Sequence, residues 1–178
     1  DAEGNLYGTT FLGGTNQAGT VFKLTPNGQA TVLHSFTGAD GGHPYSGLIM
    51  DEAGHLYGTT QFSGSDGFGT VFKLTSDGVA SVLHAFTVGT DGGNPTAGLL
   101  LDRLGNLYGV TPRNSGNVYK LAPDGTETTL YSFLGSPDGS LPVAGLIMDA
   151  KGNLFGTTNA GGTSSDGTVF KVINTVTN

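Results

Sequence analysis

Short apolar runs, separated by polar and glycine-rich stretches, recur along the whole chain. Each run is four to six residues long, is rich in Val, Leu, Phe and Tyr, and is bounded by Gly, Pro, Asp or Asn. Runs of this length and composition are typical of β-strands, and the i, i+3, i+4 spacing of an amphipathic helix is absent. The pattern therefore predicts an all-β protein.

Four kinds of run follow one another in a fixed order, which repeats about every 50 residues. They are of the types Gly-Leu-Ile-Met, Leu-Tyr-Gly-Thr-Thr, Val-Phe-Lys-Leu and Val-Leu-His-Ser-Phe. The aromatic residue of the second run marks the period, at Tyr7, Tyr57, Tyr108 and Phe155. Such a period indicates a repeat protein. We predict about 3.5 repeats in a single repeat domain, 1–178, with units 1–50, 51–101, 102–148 and a partial unit 149–178.

The connections and the two faces of the runs predict how each unit folds. Thr25–Gly28 and Asp51–Gly54 have the composition of tight turns, so the four strands should form an antiparallel meander. In the third run, Val21 points to one face while Phe22 and Leu24 point to the other. A sheet that is apolar on both faces must be covered on both, and radial stacking of like sheets does this. We therefore predict a β-propeller, or a segment of one, built from four-stranded antiparallel blades.

The two ends of the chain fall within units. The chain opens on a Leu-Tyr run, has no signal-peptide pattern, and closes with at most an irregular strand at 174–178. Counting strands leaves three at each end, and exposed sheet edges promote association. We expect either that these residues belong to a longer, trimmed chain or that neighbouring copies cover the ends.

Composition excludes several classes of function. There is no cysteine, so disulfides and thiolate metal sites are excluded. The net charge of −7 argues against nucleic acid as a partner. No apolar run reaches the roughly 18 residues needed to span a membrane. The 32 glycines recur at fixed places between runs and are therefore interpreted as turn residues rather than as a linker.

The repeated strings resemble a known family. Gly-Leu-Ile-Met-Asp-x-x-Gly-Asn-Leu-Tyr-Gly-Thr-Thr, followed by Gly-Thr-Val-Phe-Lys-Leu-Thr and Val-Leu-His-Ser-Phe, is similar to the GloVer tandem repeat over essentially the whole chain. The Asp-x-x-Gly-Asn-Leu-Tyr part also resembles NHL-type β-propeller blades, more distantly. The GloVer resemblance implies secretion and a surface anchor, hence an extracellular or cell-surface location, but no activity. The third unit departs from the pattern at Val110, Asn117, Tyr119 and Tyr131, which would interrupt any site repeated in every blade.

Oxygen-bearing side chains concentrate at one rim of the predicted sheets. In a meander, alternate connections lie at opposite rims, and the long Gly-rich loops and the Asp-Gly-Gly-x-Pro loops share one of them. We predict ligand-binding residues there, namely Asp40, His43, Tyr45, Asp66, Asp91, Asn94, Asp138 and Asp166. Such groups suit sugar hydroxyls or Ca²⁺, with Asp40 and Asp91 as the candidate calcium ligands. The alternative is that these aspartates close turns, and no spacing matches a twelve-residue calcium loop.

Two other polar series recur at strand positions. Lys23, Lys73, Lys120 and Lys171 form either a ring of cations or, as we favour, packed stems whose ammonium groups pair with turn aspartates. His34 and His84 lie on a strand face with apolar neighbours, so we expect packing residues with a satisfied ring nitrogen.

No catalytic residue is predicted, because neither a metal-type His spacing nor a Gly-x-Ser-x-Gly elbow occurs. The sequence favours a non-catalytic extracellular binding or scaffolding module, acting in adhesion or glycan binding, with a glycan or surface protein as partner. A second hypothesis is a structural protein that assembles edge to edge into oligomers or filaments. A third is a polysaccharide-active enzyme that uses paired carboxylates.

Overall fold

A computed structural model describes residues 1–87 and 89–173 of the chain. The described residues contain 14 strands and one short 3₁₀ segment, Arg113–Ser115. The strands are β1 Leu6–Thr10, β2 Thr20–Leu24, β3 Ala30–Ser35, β4 Ile49–Met50, β5 Leu56–Thr60, β6 Thr70–Leu74, β7 Ala80–Ala85, β8 Leu100–Leu101, β9 Leu107–Thr111, β10 Asn117–Leu121, β11 Glu127–Ser132, β12 Ile147–Met148, β13 Leu154–Thr158 and β14 Thr168–Val172. The all-β prediction is confirmed, whereas the strand predicted at 174–178 lies outside the described residues.

The strands form four antiparallel sheets in sequence order. The first contains β1 to β3, the second β4 to β7, the third β8 to β11 and the fourth β12 to β14, each strand pairing with its neighbour in the chain. The four aromatic residues that mark the period occupy the second position of β1, β5, β9 and β13, each opposite a lysine of the next strand. The predicted antiparallel meander is therefore confirmed, with four strands in the second and third sheets and three in the first and fourth.

The hydrophobic core lies between consecutive sheets. In β6, Phe72 and Leu74 pack towards the first sheet, in one cluster with Val21 and Phe36. Val71, which immediately precedes Phe72, packs towards the third sheet. This alternation is the period-2 pattern of a strand that is covered on both faces. Each such side chain contributes about 1.5–3 kcal/mol relative to an exposed position.

Hydrogen bonds also join one sheet to the next. The hydroxyl of Thr9 donates to the carbonyl oxygen of Ser46 at 3.0 Å, and the hydroxyl of Thr59 donates to that of Ala97 at 3.4 Å. Val110 occupies the corresponding position of the third sheet and cannot make this bond. The fold thus uses the first threonine of the Gly-Thr-Thr string to hold the following sheet in place.

The ends of the sheets define two surfaces that differ in character. The turn rim consists of the tight turns, at 25–29, 51–55, 75–79, 102–106, 122–126 and 149–153. The loop rim consists of two kinds of connection. The loops that join β1 to β2, β5 to β6, β9 to β10 and β13 to β14 are 11–19, 61–69, 112–116 and 159–167. The connections between sheets lie within 36–48, 89–99 and 133–146. Every predicted ligand-binding residue lies on the loop rim.

No helix of the described residues has the length and apolar character needed to cross a membrane.

Candidate functional site

The carboxylates of the aspartates on the turn rim already accept hydrogen bonds from their own turns. The carboxylate of Asp51 accepts hydrogen bonds from the backbone N–H groups of Ala53 at 3.0 Å and His55 at 2.8 Å, and from the hydroxyl of Tyr57 at 3.0 Å. Burial opposes the charged form, but these donors outweigh it, so the pKa of Asp51 lies below its ordinary value. Burial, followed by the bond to Asp51, raises the pKa of Tyr57 to about 12.

The repeated lysines complete this arrangement. The Nζ atoms of Lys23, Lys73 and Lys171 lie 5.8, 5.4 and 5.6 Å from the centroids of the aromatic rings that they face across the strand pair. In the described part of the chain, no lysine lies within 4 Å of a carboxylate. The expectation that these lysines pair with turn aspartates is therefore wrong. The ammonium groups of Lys23, Lys73 and Lys171 instead lie over the faces of aromatic rings.

Three clefts open on the turn rim, one at each boundary between sheets, with volumes of about 460, 620 and 660 Å³. They are lined by the same kinds of residue each time. These include Asp51 and Asp102, whose oxygens already accept hydrogen bonds from their own turns and from Tyr57 and Tyr108. Because the lining repeats and its carboxylates are occupied, we assign these clefts to the packing of like sheets.

On the loop rim, Asp40 and Asp91 also close turns. Asp40 accepts hydrogen bonds from the backbone N–H and the hydroxyl of Thr37, both at 2.8 Å, and its other oxygen lies 2.7 Å from Nε2 of His34. Asp91 repeats this arrangement, with His84 at 3.3 Å. Although burial opposes the charged form, the bonds from Thr37 and His34 lower the pKa of Asp40. The expectation of a satisfied ring nitrogen in His34 and His84 matches these contacts.

The remaining predicted acidic residues do not converge on a common centre. Asp138 accepts bonds from the hydroxyl of Tyr131 and the backbone of Leu134, both at 3.0 Å. Asp66 and Asp166 are exposed on separate loops. Within residues 1–87 and 89–173, no three acidic, His or Cys side chains are grouped so as to hold a metal ion. Calcium binding through Asp40 and Asp91 stays a prediction, and the hydrogen bonds described above show that each carboxylate closes its own turn.

His43 is held rigidly between two sheets. Its backbone N–H donates to the carbonyl of Ala18 at 2.7 Å, and its carbonyl accepts from the N–H of Gln61 at 3.1 Å. The residue has a φ of 58°, which is uncommon for a side chain other than glycine. Asn94 and Leu141 have the same conformation at the corresponding places, so the loop geometry repeats while the side chain changes.

Phe11 and Phe62 contact His43, and Tyr45 contacts Phe11; we call these four residues the aromatic cluster. The His43 ring lies 5.0 Å from Phe11 and 5.8 Å from Phe62, and Tyr45 lies 6.1 Å from Phe11. Their exposed fractions are high for large rings, 41% for Phe11 and Phe62 and 64% for Tyr45. Nδ1 of His43 is enclosed and makes no hydrogen bond to any described residue.

This cluster combines two chemical capabilities. Exposed aromatic faces pack against the apolar faces of ring-shaped ligands, and an imidazole carries both a hydrogen-bond donor and an acceptor nitrogen. Of the predicted residues, the structure brings His43 and Tyr45 together through Phe11. Asn94 lies at the next boundary, where its side-chain N–H₂ donates to the carbonyl of Gln61 at 2.9 Å.

Sequence reasoning missed Phe11 and Phe62. Both stand in Gly-rich loops, where surface residues are ordinarily polar, so a large aromatic residue in each loop was the signal that could have identified them. Their convergence on His43 depends on which loops face each other, and a repeat pattern does not contain that information.

Comparisons with known proteins bear on these observations. A family model described as the Gloeobacter/Verrucomicrobia repeat matches residues 1–177, which confirms the GloVer resemblance. A search of curated proteins found no match. Among solved structures, the periplasmic gluconolactonase PpgL of Pseudomonas aeruginosa is 16% identical, with a TM-score of 0.57 over 85% of this chain and 46% of that one. A gluconolactonase of Xanthomonas campestris is 21% identical, with a TM-score of 0.56 over 91% and 60%.

These likenesses show a shared fold, and this chain spans about half the length of the two structures. They contradict the expectation of a non-catalytic binding or scaffolding module that is not an enzyme, because the proteins that share the fold carry the names of enzymes. That expectation depended on the absence of a local catalytic motif. A site assembled from separate loops leaves no such motif, so its absence was weak evidence, and the enzyme alternative is the one that the comparisons favour.

Proposed function

The chain belongs to the Gloeobacter/Verrucomicrobia repeat family, and we propose that its sheets are consecutive β-propeller blades whose loop rim hydrolyses sugar lactones. The observation that carries this proposal is the fold shared with two gluconolactonases over 85% and 91% of the chain. The aromatic cluster is the part of the loop rim that has the side chains for such a reaction.

The propeller proposal is supported by the way in which the sheets follow one another. Each sheet presents the same strand order, and each boundary between sheets is filled by one core cluster. Stacking like sheets about an axis covers both apolar faces, as these clusters require. Such an arrangement also places all loops of one rim around a common centre, where residues from different sheets meet a single ligand.

His43 is the proposed general base. In the tautomer with the proton on the enclosed Nδ1, the Nε2 atom carries the lone pair and accepts a proton from water. The water oxygen attacks the lactone carbonyl carbon, and the bond between that carbon and the ring oxygen then breaks. The proton held on Nε2 passes to the departing ring oxygen, which becomes a hydroxyl group. One water is consumed, and the product is the open-chain hydroxy acid.

The surrounding rings position the substrate for this step. Phe11 and Phe62 both lie beside the imidazole and expose apolar surface on which the C–H face of a sugar ring can rest. The backbone of His43 is held on both sides, since its N–H donates to Ala18 and its carbonyl accepts from Gln61. A base that is held in place before the substrate binds needs no reorganisation when the reaction occurs.

The proposal is tested by following acid release from glucono-1,5-lactone in a pH-stat, with the spontaneous rate subtracted. The protein should give a saturable acceleration, and H43Q should lower kcat/KM at least about tenfold, because general base catalysis contributes roughly 10²–10⁴-fold. H55Q is the matched control, since His55 lies on the turn rim, and it should retain the full rate.

Two results would contradict the proposal. If the protein accelerated none of a panel of 1,4- and 1,5-sugar lactones, lactone hydrolysis would be wrong. If the protein were active and H43Q were equally active, the reaction would belong to another site. Far-ultraviolet circular dichroism and thermal melting of both variants establish that each is folded.

A further inference from the structure

Basic residues are distributed unequally between the two rims. Of the seven lysines and arginines, the four repeated lysines are next to the last residue of their strands, beside the turn rim. Arg103 and Lys151 lie in the tight turns of that same rim. Arg113 is the remaining one, and it lies on the loop rim, in the short loop between β9 and β10. The loop rim otherwise carries the acidic residues Asp40, Asp66, Asp91, Asp138 and Asp166.

Arg113 is held in place without an acidic partner. The central carbon of its guanidinium group lies 3.9 Å from the centroid of the Phe68 ring. Nε is buried and makes no hydrogen bond, and among the described residues no carboxylate lies within 4 Å of the guanidinium. Nη1 and Nη2 also make no hydrogen bond to a described residue, but they are not enclosed, so they are the donors that a ligand oxygen can reach.

Glycine at position 93 makes room for this stack. A Cβ atom there would come within 3.0 Å of the Cβ of Phe68 and 3.4 Å of the Cδ of Arg113. The fold does not require arginine at position 113, since the corresponding loop positions hold Phe62 and Ala160. The guanidinium group is thus a feature of one boundary between sheets and not of the repeat.

One loop connects Arg113 to the aromatic cluster. The loop 61–69 carries Phe62, which lies against His43, and Phe68, which lies beneath Arg113. Gln61 joins the two boundaries, because its N–H donates to the carbonyl of His43 and its carbonyl accepts from Asn94. The imidazole and the guanidinium group therefore stand on the two sides of a single loop.

We propose that Arg113 binds an anionic group, a carboxylate or a phosphate, carried by the sugar whose lactone ring lies at the aromatic cluster. This inference rests on the proposed function and specifies its substrate class. A guanidinium group offers a planar pair of donors that matches both anions, and stacking on Phe68 holds that plane before the ligand arrives. The other charged residues of the loop rim are acidic, so Arg113 is the residue there that attracts an anion.

Three stable sugars that differ only at carbon 6 test the inference by calorimetric titration. They are glucose 6-phosphate, glucuronate and glucose, which carry a phosphate, a carboxylate and a hydroxyl group. The protein should bind at least one of the anionic sugars about tenfold or more tightly than glucose, and added salt should reduce the difference. The tighter of the two anionic sugars identifies the natural anion.

Variants assign the effect to Arg113. R113Q should lower the affinity for the anionic sugar to that for glucose, and R113M should do the same while keeping an apolar stem on Phe68. R103Q, which changes the arginine of the turn rim, should bind as the unaltered protein does. Unchanged binding in both Arg113 variants, or no preference for either anion in the unaltered protein, would overturn the inference.

The titration separates this inference from the proposed function, because it measures binding to sugars that have no lactone ring. Hydrolysis of gluconolactone without any preference for anionic sugars would refute the role of Arg113 and leave the proposed function standing. A preference that depends on Arg113, without hydrolysis of any lactone, would refute the proposed function and retain the anion site.

Discussion

Tyr57 and Asp51 illustrate how a strand residue and a turn residue hold each other in this repeat. The hydroxyl of Tyr57 donates to the Asp51 carboxylate at 3.0 Å, while Lys73 places its ammonium group over the same ring. The same tyrosine–aspartate bond recurs for Tyr7 with Asp1 at 2.9 Å. The turn rim is therefore stabilised by a network that includes charged groups and whose strength depends on their ionisation.

Replacing Tyr57 by phenylalanine should remove one hydrogen bond to a carboxylate and leave the ring in place. We expect the free energy of unfolding, measured by urea denaturation, to fall by about 1.5–3 kcal/mol, the usual net value for a hydrogen bond to a charged group. Y45F is the control, because Tyr45 is exposed and lies on the other rim. Equal stability of the two variants would show that the Tyr57 bond contributes nothing.

The pKa shifts of the turn rim predict that the protein loses stability both at low pH and at high pH. Since the pKa of Asp51 and that of Asp102 are lower in the folded protein, their contribution is complete above the unfolded value of about 3.9 and is lost as the pH falls through the folded pKa. The pKa of Tyr57 is raised to about 12, so its contribution is complete below about pH 10 and is lost as the pH rises towards 12.

Melting temperatures recorded across this range test both signs. They should change little between about pH 5 and pH 8 on account of these groups, and they should fall below about pH 4 and above about pH 10. In D102N, the acid limb should be shallower than in the unaltered protein. An acid limb that D102N leaves unchanged would contradict the assignment of acid sensitivity to the turn rim.

At the scale of the strand pair, the glycine of the Leu-Tyr-Gly-Thr-Thr string has a packing role. Gly58 faces Phe72 across the strand pair, and a Cβ at position 58 would lie 2.7 Å from the Phe72 ring and 2.8 Å from Leu48. Gly8 and Gly156 meet Phe22 and Phe170 in the same way. The repeat uses glycine there so that an aromatic ring can lie flat across the neighbouring strand.

Gly58→Ala should therefore destabilise the protein by about 1–3 kcal/mol, the usual effect of overpacking a core. Gly98→Ala is the matched control, because nothing lies within 4 Å of a Cβ atom at that position. Denaturation of both variants by urea measures the difference. Similar destabilisation by the two substitutions would mean that loss of glycine, and not the contact with Phe72, is responsible.

The sequence was sufficient to predict the strands, since each is a short apolar run between turn residues and each recurs with the period. It was not sufficient to predict the position of Lys73, because an ammonium group can reach either a turn carboxylate or the Tyr57 ring, and only the geometry of the pair decides. In the same way, His43 and Tyr45 stood out as polar residues of the correct rim. Phe62 and Arg113 did not, since their partners lie on loops of other sheets.

Across the whole molecule, the residues that maintain the fold recur from sheet to sheet, whereas the residues of the candidate site do not. Core clusters, turns and lysine–aromatic pairs recur from sheet to sheet, as expected for residues that maintain a repeated fold. On the loop rim, one backbone position holds His43, Asn94 and Leu141 in turn. We therefore expect the functional residues at positions where the repeats differ. A single site formed by loops of neighbouring sheets fits the proposed hydrolysis of a small cyclic ester.

The four histidines provide the most direct test of that claim, because they occupy distinct surroundings. His43 lies in the aromatic cluster, His55 lies on the turn rim, and His34 and His84 are bonded to Asp40 and Asp91. With ¹³C-labelled histidine rings, a titration at constant pH with gluconate, the product of gluconolactone hydrolysis, reports on all four at once. We predict a saturable shift of the His43 resonance alone. A shift of His55 without one of His43, or no shift at all, would contradict the account.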